Sequence, residues 1–300
     1  MMAINNLSKW FCKTLYRTTH SKQYHHNKNL WPFFKVVRNE KGSIDAVFFK
    51  HKQINTPCVG KEKRNKPLLI MATGPSVNHI DKHFFNTSFD YFGVNGAISM
   101  EAIDFKWYAI TDRNFVLRRL SLVKKLVARD DLTVFCPYTT LETIFSNIEW
   151  QHIRCGFKVF EAVSGECVYK FLAAKEKLII NDEHYHWLDG AGFSDNIEYG
   201  LFDYGTVVYP ALQIACALGY RQIYIAGLDM NNFNQPRFYE TVTDKLGTRL
   251  DRDFDQICHS FYAAQSYCEL NNISVVNLSL ESAIDAFPKF SWAHTDKQAS

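Results

Sequence analysis

The chain has 300 residues, of which 47% are hydrophobic and 22% are charged. This length and composition allow a large buried core and one α/β domain with an added segment. A formal net charge of only +3 excludes a protein that binds polyanions through its overall charge. The basic residues form no recognised nucleic-acid-binding module, so we predict no nucleic-acid partner.

The cysteines and the hydropathy pattern indicate where the protein resides. The eight cysteines include no C-x-x-C pair, and several lie within apolar runs. We therefore expect reduced, buried thiols and a cytoplasmic protein. No stretch reaches the roughly 18 uninterrupted apolar residues of a membrane span, and the N-terminus lacks the hydrophobic core of a secretory signal.

The N-terminal segment, residues 1–66, differs from the rest of the chain in its charge. No Asp or Glu precedes Glu40, whereas Lys9, Lys13 and Arg17 recur at helical spacing. A basic face beside an aromatic and aliphatic face is typical of a helix at a membrane surface, but a helix that packs on its own domain fits equally well. The second face of this predicted helix carries Leu7, Trp10, Phe11, Thr14 and Leu15.

The remainder of this segment is predicted to form a β-hairpin that turns at Asn39–Gly42 and a polar linker at residues 51–66. We predict that residues 1–66 face a membrane and that the protein is peripheral on the anionic surface of an inner membrane.

From residue 67 onward, strand and helix patterns alternate. Such alternation predicts an α/β fold with a mostly parallel, Rossmann-like sheet and helices on both faces. Residues 180–204 interrupt the alternation, and long insertions of this kind often form lids or acceptor-binding loops. Strands are predicted at 68–73, 90–94, 106–111, 132–136, 157–161, 221–227 and 273–278, and helices at 113–129, 139–146, 206–219 and about 255–271.

Polar residues follow four of the predicted strands at their carboxyl ends, where open parallel sheets bind ligands. In the first of these turns, Gly74 permits a tight bend, Pro75 suits the first turn of a helix and Ser76 can cap it. The exposed N–H groups of such a turn favour an anion. Each residue also has a purely structural explanation, so the prediction depends on the recurrence. The set is Thr73, Gly74 and Ser76; Asn95; Thr111, Asp112 and Arg113; and Asp229, Asn231 and Asn232.

Three sequence blocks resemble a known family. The first turn is neither a Walker loop nor a dinucleotide fingerprint. The blocks LLIMATGPSVNHID, FDYFGVNGAIS and ALGYRQIYIAGLDM are similar to those of glycosyltransferase family 42, bacterial sialyltransferases that use a CMP-activated nine-carbon sugar. The resemblance covers roughly residues 67–113 and 205–290. The basic, aromatic N-terminal part looks more like the enzymes that add an extra Kdo residue to the lipopolysaccharide core, also from a CMP-linked acidic sugar.

This resemblance implies roles for individual residues. Thr73 and Thr111 stand where the family has asparagine, and Asn231 stands where it has the first of two tyrosines that steady the departing phosphate. The second tyrosine position falls near Phe238 or Tyr239. The predicted nucleotide-binding residues are Ala72, Thr73, Gly74, Ser76, Asn95, Thr111 and Asp112, and the predicted contacts to the leaving phosphate or donor sugar are Asn231 and Tyr239.

The general base is predicted to lie at the start of the helix near residue 255. The family has a histidine just before its penultimate helix, and colinear spacing places Asp255 there, with His259 one turn later. At i and i+4 the two side chains could share a helix face and act as a pair. Both could equally be ordinary helix residues. If neither is the base, His184, His186, His294 and Tyr239 are next.

The acidic run Asp251, Asp253 and Asp255 resembles the D-x-D motif of metal-dependent glycosyltransferases. It precedes a predicted helix, however, where acidic residues complement the helix dipole. A CMP-sugar has a single phosphate, which needs a divalent ion less than a diphosphate does. We therefore predict no metal and no cofactor.

The resemblance implies that residues 67–300 form a nucleotide-sugar glycosyltransferase domain with an acceptor-loop insertion near 180–204. Its activity would be inverting transfer of an acidic ulosonic sugar, Kdo or sialic acid, from CMP onto lipopolysaccharide core oligosaccharide. One alternative is a pterin pyrophosphokinase-like or flagellin-glycosylation type enzyme, in which Asp112 would help to hold a metal. Another is a non-catalytic, membrane-associated assembly factor with a decayed nucleotide fold; Tyr204, which replaces a family arginine, favours it.

Overall fold

The computed structural model describes residues 6–55, 62, 64–81, 84, 85, 88–178 and 182–291. The helices are α1 (Asn6–Thr19), α2 (Arg113–Arg118), α3 (Leu120–Val127), α4 (Tyr138–Asn147), α5 (Val208–Ala217) and α6 (Phe254–Leu270). The strands are β1 (Phe34–Arg38), β2 (Ile44–Phe49), β3 (Lys52–Gln53), β4 (Leu68–Met71), β5 (Asp90–Val94), β6 (Trp107–Ala109), β7 (Thr133–Pro137), β8 (Gly156–Phe160), β9 (Ala162–Ser164), β10 (Cys167–Tyr169), β11 (Glu176–Lys177), β12 (His186–Leu188), β13 (Ala191–Phe193), β14 (Leu201–Phe202), β15 (Gln222–Ala226) and β16 (Ser274–Asn277).

A parallel sheet of seven strands in the order β16-β15-β4-β5-β6-β7-β8 forms the centre of the molecule. Side chains alternate between its two faces. Leu68 and Ile70 of β4 pack with α5 and α6 on one face, and Leu69 and Met71 pack with α3, α4 and the β1–β2 hairpin on the other. Burial on both faces explains why β4 reads as an unbroken apolar run. All seven strands predicted after residue 67 lie in this sheet, so the predicted α/β fold is confirmed.

The chain reverses its direction across the sheet at β4. From β4 it proceeds outward through β5 to β8, and it later returns to β15 and β16 on the other side of β4. A parallel sheet opens a crevice at such a point, at the carboxyl ends of the two adjoining strands. The ends of β4 and β15 are therefore the place where this fold favours a ligand.

The predicted helix at residues 113–129 is wrong in one respect, because the helix breaks at Arg119. The backbone there leaves the helical region, at φ −122° and ψ 41°. The Arg119 guanidinium donates to both carboxylate oxygens of Asp244, at 2.7 and 2.9 Å, and to the Asp244 carbonyl at 2.6 Å. These bonds join the break between α2 and α3 to a segment 125 residues later in the chain.

The predicted N-terminal hairpin is present and packs into the main core. Strands β1 and β2 pair antiparallel, with Phe34 opposite Phe49. Both rings contact Phe145 of α4, at centroid distances of 5.9 and 4.6 Å. Arg38 at the end of β1 forms an ion pair of 2.6 Å with the buried carboxylate of Glu161. Residues 34–49 and the main sheet thus share one hydrophobic core.

Residues 182–204 are more regular than the loop predicted for 180–204. Strands β12 and β13 form a short antiparallel hairpin, and β14 pairs parallel with β9 in a second sheet of order β11-β10-β9-β14. Phe193 is fully buried between Tyr209 of α5 and Tyr267 of α6. Strands of two or three residues carry too little periodicity to be predicted from sequence.

Two further findings concern only the part of the chain that the structure describes. Its helices include none with both the length and the apolar character needed to cross a membrane. Its seven cysteines are all free thiols, and four of them are buried. Cys58 and part of the predicted linker lie outside the described residues.

Candidate functional site

The carboxylate of Asp229 joins the loops that follow β4 and β15. Asp229 is 5% exposed and follows β15 by three residues. Its Oδ2 accepts the Ser76 backbone N–H at 3.0 Å and the Asn232 side-chain amide at 3.0 Å, and its Oδ1 accepts the Ser76 hydroxyl at 2.5 Å. The Ser76 and Ser279 hydroxyl oxygens are 2.9 Å apart, and Ser279 Oγ accepts the Gly227 N–H at 3.2 Å. The ends of three adjacent strands are therefore held together.

These bonds change the interpretation of the turn after β4. The Gly74 N–H donates to the Gly227 carbonyl at 3.0 Å, and the Ser76 N–H donates to Asp229. The predicted open N–H groups for an anion are thus already occupied. The prediction that Ser76 caps a helix is also wrong: Gly74 holds the cap position of a short 3₁₀ helix at Pro75–His79, and the Ser76 side chain bonds Asp229 instead.

Gly74 is required by close packing. Its φ of −63° suits any residue. A Cβ at this position, however, would lie 2.4 Å from Asp229 Oδ2 and 2.6 Å from the Gly227 carbonyl oxygen. Ala72 likewise serves the backbone, since it is buried and its N–H donates to the Ala226 carbonyl at 2.8 Å. Gly74 and Ala72 let the two strand-end loops approach each other.

A cleft of about 400 Å³ opens beside this cluster. Its lining includes Ser76, Asp229, Asn231, Ser279, Glu281 and Ser282. Asn231 is exposed, and its amide donates to the Glu281 carbonyl. The only charged groups among these six residues are the carboxylates of Asp229 and Glu281. This part of the cleft therefore suits hydroxyl and amino groups better than a phosphate.

Other predicted site residues lie around Asn95, at the end of β5, on the side of β4 opposite β15. The segment that carries Tyr239 lies over this region, because the Phe238 N–H donates to the Thr73 carbonyl at 3.2 Å. The Tyr239 ring lies against Gly96, where a Cβ would be 2.1 Å from it. The structure therefore brings Thr73, Asn95 and Tyr239 together and leaves Asn231 in the cleft beyond Asp229.

Asn95 has an unmet hydrogen-bonding capacity. Its backbone adopts a positive φ of 45°, which asparagine tolerates better than most residues, and its carbonyl accepts the Tyr108 hydroxyl at 2.7 Å. Its side-chain Oδ1 is buried and has no hydrogen-bond partner among the described residues. A buried acceptor without a donor costs free energy, so this atom is a natural contact for a ligand's N–H or O–H group.

The Tyr239 hydroxyl remains protonated at neutral pH. Burial raises its pKa to about 12, although the charge of Arg237 opposes the shift. A protonated phenol donates a hydrogen bond, which is what a developing negative charge on a leaving group requires.

Thr111 and Asp112 follow β6, and a carboxylate that the sequence did not single out lies near them. Asp112 is the N-cap of α2, where its Oδ1 accepts the Asn114 N–H at 2.7 Å. Burial raises the pKa of Asp203 above its ordinary value; the Gly205 N–H opposes this shift, and the charge of Asp112 adds to it. A carboxyl group with a raised pKa at a strand end is suited to accept a proton. Its only signal in the sequence is its place just before α5.

The predicted base residues on α6 do not form a pair. His259 is exposed, and its Nε2 lies 3.0 Å from the Asp189 carbonyl oxygen in the β12–β13 turn. Because a carbonyl only accepts, Nε2 carries the proton and Nδ1 is the acceptor in the neutral ring. No hydrogen bond or ion pair joins Asp255 to His259 in the described part of the chain, and Asp255 is exposed.

The remaining base candidates have local partners or lie outside the described residues. His184 Nδ1 is 2.6 Å from Asp182 Oδ1, and His186 Nε2 is 3.1 Å from Ser266 Oγ. His294 lies outside the described residues.

The three carboxylates of the acidic run at the start of α6 differ in their contacts. Asp253 forms an ion pair with Arg252 at 2.7 Å, whereas Asp251 and Asp255 are exposed. Within the described ranges, no three or more His, Cys, Asp or Glu side chains are grouped so that they could hold a metal ion.

Comparison with known protein families assigns this chain to one of them. A family model described as "3-deoxy-D-manno-octulosonic acid transferase WaaZ" matches residues 48–288. The chain belongs to this family. The matched region of the WaaZ family contains the whole seven-stranded sheet and every strand-end residue described above, and the predicted similarity to Kdo transferases is confirmed. Helix α1 and strand β1 precede the matched region.

Two curated relatives are similar over a shorter stretch. A probable 3-deoxy-manno-octulosonic acid transferase of Salmonella typhimurium strain LT2 is 32% identical over 94 residues, which are 31% of this chain and 34% of the relative. The protein of the same description from Escherichia coli strain K12 is 31% identical over 93 residues, 31% of this chain and 32% of the relative. The alignment thus spans about a third of the length of the curated relatives.

Solved structures of one sialyltransferase also show similarity. CstII from Campylobacter jejuni, in complex with a substrate analogue, cytidine-5'-monophosphate, aligns with a TM-score of 0.39 and 14% identity, over 76% of this chain and 86% of CstII. CstII in complex with a trisaccharide acceptor and CMP aligns with a TM-score of 0.42 and 16% identity, over 75% of this chain and 86% of CstII.

The packing of Gly74 predicts a large cost for a single methyl group. We expect Gly74→Ala to lower the free energy of unfolding by about 1–3 kcal/mol, since the new Cβ overlaps Asp229 and the Gly227 carbonyl. Gly247→Ala is the matched control, because its Cβ meets nothing within 4 Å, and it should change stability by less than about 0.5 kcal/mol. Urea denaturation measures both. Equal stability of the two variants would contradict the packing argument.

The environment of Asp203 predicts that replacing its carboxylate with a neutral amide stabilises the protein in a pH-dependent way. Its raised pKa means that the ionised form is disfavoured in the fold. Asp203→Asn should therefore raise the melting temperature at neutral pH, and the gain should vanish as the pH falls below about 4, the ordinary carboxyl pKa. Thermal unfolding across pH measures this.

Asp131 provides a control of opposite sign for that measurement. The hydrogen bond from Arg129 lowers the pKa of Asp131. Asp131→Asn should therefore lower the melting temperature at neutral pH, and this loss should disappear as the pH falls through the depressed pKa. A loss of stability in Asp203→Asn at neutral pH would contradict the conclusion that burial destabilises the ionised carboxylate of Asp203.

Proposed function

We propose that this protein is an inverting glycosyltransferase that transfers Kdo, or a related acidic ulosonic sugar such as sialic acid, from its CMP donor to lipopolysaccharide core oligosaccharide. The observation that carries the proposal is the match to the WaaZ family over residues 48–288. The unpartnered Oδ1 of Asn95, at the strand ends where a parallel sheet binds ligands, supports a bound nucleotide.

The proposed donor site lies across the ends of β4, β5 and β6. Asn95 Oδ1 accepts a hydrogen bond from the nucleotide, and Thr73, Thr111 and Asp112 contribute further polar contacts from the same edge. Ala72, Gly74 and Ser76 act by shaping the loop, since their N–H groups are bonded within the protein. Asn231 contacts the part of the donor that reaches the cleft beside Asp229.

The proposed reaction is a direct displacement at the anomeric carbon of the donor sugar. The acceptor hydroxyl oxygen attacks this carbon, the bond from the carbon to the phosphate oxygen breaks, and CMP leaves with the electron pair. Tyr239 donates a hydrogen bond to the departing phosphate. A base takes the hydroxyl proton: His259 through Nδ1, without help from Asp255, or Asp203, whose pKa burial raises.

Transfer assays with purified protein test the reaction and separate the base candidates. With CMP-Kdo or CMP-sialic acid and core oligosaccharide, we expect a mass increase of one ulosonic residue and release of CMP. The variant that removes the base, His259→Ala or Asp203→Asn, should lose about 10²–10⁴ in kcat with CMP binding intact. Tyr239→Phe should lose about 10²–10³.

His152→Ala is the matched control for the histidine variant, because His152 is exposed and lies on a different surface element, and it should retain full activity. If neither CMP-sugar is consumed and the acceptor mass is unchanged, the proposed reaction is wrong. If the wild type is active and both base variants keep near-normal turnover, both base assignments are wrong.

We also propose that α1 places the protein on an anionic inner-membrane surface. Three apolar side chains of this helix face outward, since Trp10 is 66% and Phe11 62% exposed and Leu15 is exposed beside them. Lys9 instead turns inward and donates to the Ser146 hydroxyl of α4 at 2.6 Å. Exposed aromatic residues on a basic helix suit the boundary between headgroups and acyl chains.

Vesicle binding tests the membrane proposal. Phe11→Ser with Leu15→Ser should release the protein from vesicles that contain anionic lipid, because both side chains would otherwise be buried in the interface. The matched control is Val242→Ser with Leu270→Ser, two exposed apolar residues on other elements, which should leave binding unchanged. Co-sedimentation measures the bound fraction. A wild-type protein that never sediments with such vesicles would overturn the proposal.

A further inference from the structure

A second cleft, of about 280 Å³, lies between α1, α4 and the start of α2. We call it the basic cleft and define it by its charged and aromatic lining. Its charged residues come from four separate parts of the chain: α1, residue 28, the start of α2 and α4. The lining includes Lys9, Lys13, Lys28, Arg113, Glu142, Trp10 and Trp31.

The positive charge of the basic cleft is only partly neutralised. Glu142 is its single acidic residue, and it lies 3.5 Å from Lys9 and 3.8 Å from Arg113. Lys13 and Lys28 form no ion pair with any acidic side chain in the part of the chain that the structure describes. The lining thus carries four basic side chains and one carboxylate, which leaves the cleft with an excess of positive charge.

The lysines without partners are close enough to repel one another. Burial lowers the pKa of Lys28, and the positive charges of Arg17 and Lys13 lower it further. Like charges held together without a counter-charge destabilise the fold, and a bound anion would remove this cost. Lysine ammonium groups from separate elements suit a phosphate, whose several oxygens can accept from all of them.

The shape and position of the basic cleft indicate the kind of molecule that carries the phosphate. The indole of Trp31 packs beside Tyr16 at 6.1 Å and lines the cleft together with the exposed Trp10. Aromatic faces provide flat apolar surfaces for the C–H groups of a sugar ring. The recess is also unsuited to a flat membrane surface.

The basic cleft adjoins the proposed reaction site. Arg113, one of its lining residues, follows Asp112 directly in sequence, and Asp112 caps α2 at the carboxyl end of β6. The Arg113 Nε donates to the Thr143 hydroxyl at 3.0 Å, which holds the side chain between the two regions. A saccharide bound in the cleft would therefore extend toward the strand ends.

We propose that the basic cleft binds phosphate groups of the saccharide acceptor, through Lys13 and Lys28, and orients that acceptor toward the strand ends. This inference rests on the proposed function for the identity of the acceptor. Its two phosphate-binding residues, Lys13 and Lys28, lie before the region matched by the family, whereas Arg113 and Glu142 of the lining lie within it.

Calorimetric titration with deacylated lipopolysaccharide core oligosaccharide tests the site, with the oligosaccharide used before and after its phosphates are removed. We expect the phosphorylated form to bind wild-type protein at least roughly tenfold more tightly than the dephosphorylated form. Lys13→Glu with Lys28→Glu should remove this preference. The thermal shift that CMP produces should be the same in this variant as in the wild type.

The matched control is Lys22→Glu with Lys35→Glu, which makes the same charge change at exposed residues of the N-terminal segment outside the cleft lining. It should bind the phosphorylated oligosaccharide like the wild type. Lys13→Gln with Lys28→Gln serves as a second variant if charge reversal prevents folding, and it too should lose the preference for phosphate.

Three results would overturn the proposal. The first is equal affinity of the wild type for both forms of the oligosaccharide, and the second is unchanged affinity in the Lys13 and Lys28 variants. The third is a variant that loses binding to anionic vesicles but keeps its affinity for the oligosaccharide, which would make the cleft a lipid headgroup site.

The titration contains no donor, so it separates this inference from the proposed reaction. Protein that binds the phosphorylated oligosaccharide through the cleft but transfers no sugar contradicts the reaction and leaves the phosphate site in place. Protein that transfers sugar equally well to phosphorylated and dephosphorylated acceptors contradicts the phosphate site alone.

Discussion

The carboxylate of Asp229 is the constraint on which the strand-end region depends. It is buried beneath the crevice between β4 and β15 and accepts three hydrogen bonds, two of them from Ser76. A buried carboxylate is stable only when its oxygens are satisfied, so the two loops that provide these donors must keep their relative positions. Gly74 lacks a side chain for the same reason. A rigid frame of this kind lets a ligand bind without ordering the loops first.

Much of the fold could be predicted because the sheet is buried on both faces. Runs such as Leu68–Met71 have no polar interruption, and each is bounded by turn residues, so the sequence alone predicts all seven strands. The strand ends then followed from the rule that parallel strands share one carboxyl edge. That rule groups Thr73 with Asn95, and Tyr239, which the family resemblance implies, packs beside them.

The rest could not be predicted because it depends on contacts between residues far apart in sequence. Nothing near Arg119 signals a helix break, and its guanidinium bonds to Asp244, 125 residues later. The same applies to Ser76, which looks like a helix cap until Asp229 is placed beside it. Asp203 acquires its raised pKa only from the burial and the neighbouring Asp112 that the fold imposes. Local pattern carries no information about partners of this kind.

The conformation of Asn95 restricts which amino acids natural variation can place there. The position combines a left-handed backbone with a buried side-chain acceptor, and few residues satisfy both. Glycine would keep the backbone and lose the acceptor, and aspartate would keep both but introduce a negative charge beside the proposed anionic donor. Branched residues would strain the backbone. We therefore expect very few substitutions to be tolerated at Asn95, whereas residues in the exposed turns around it can vary.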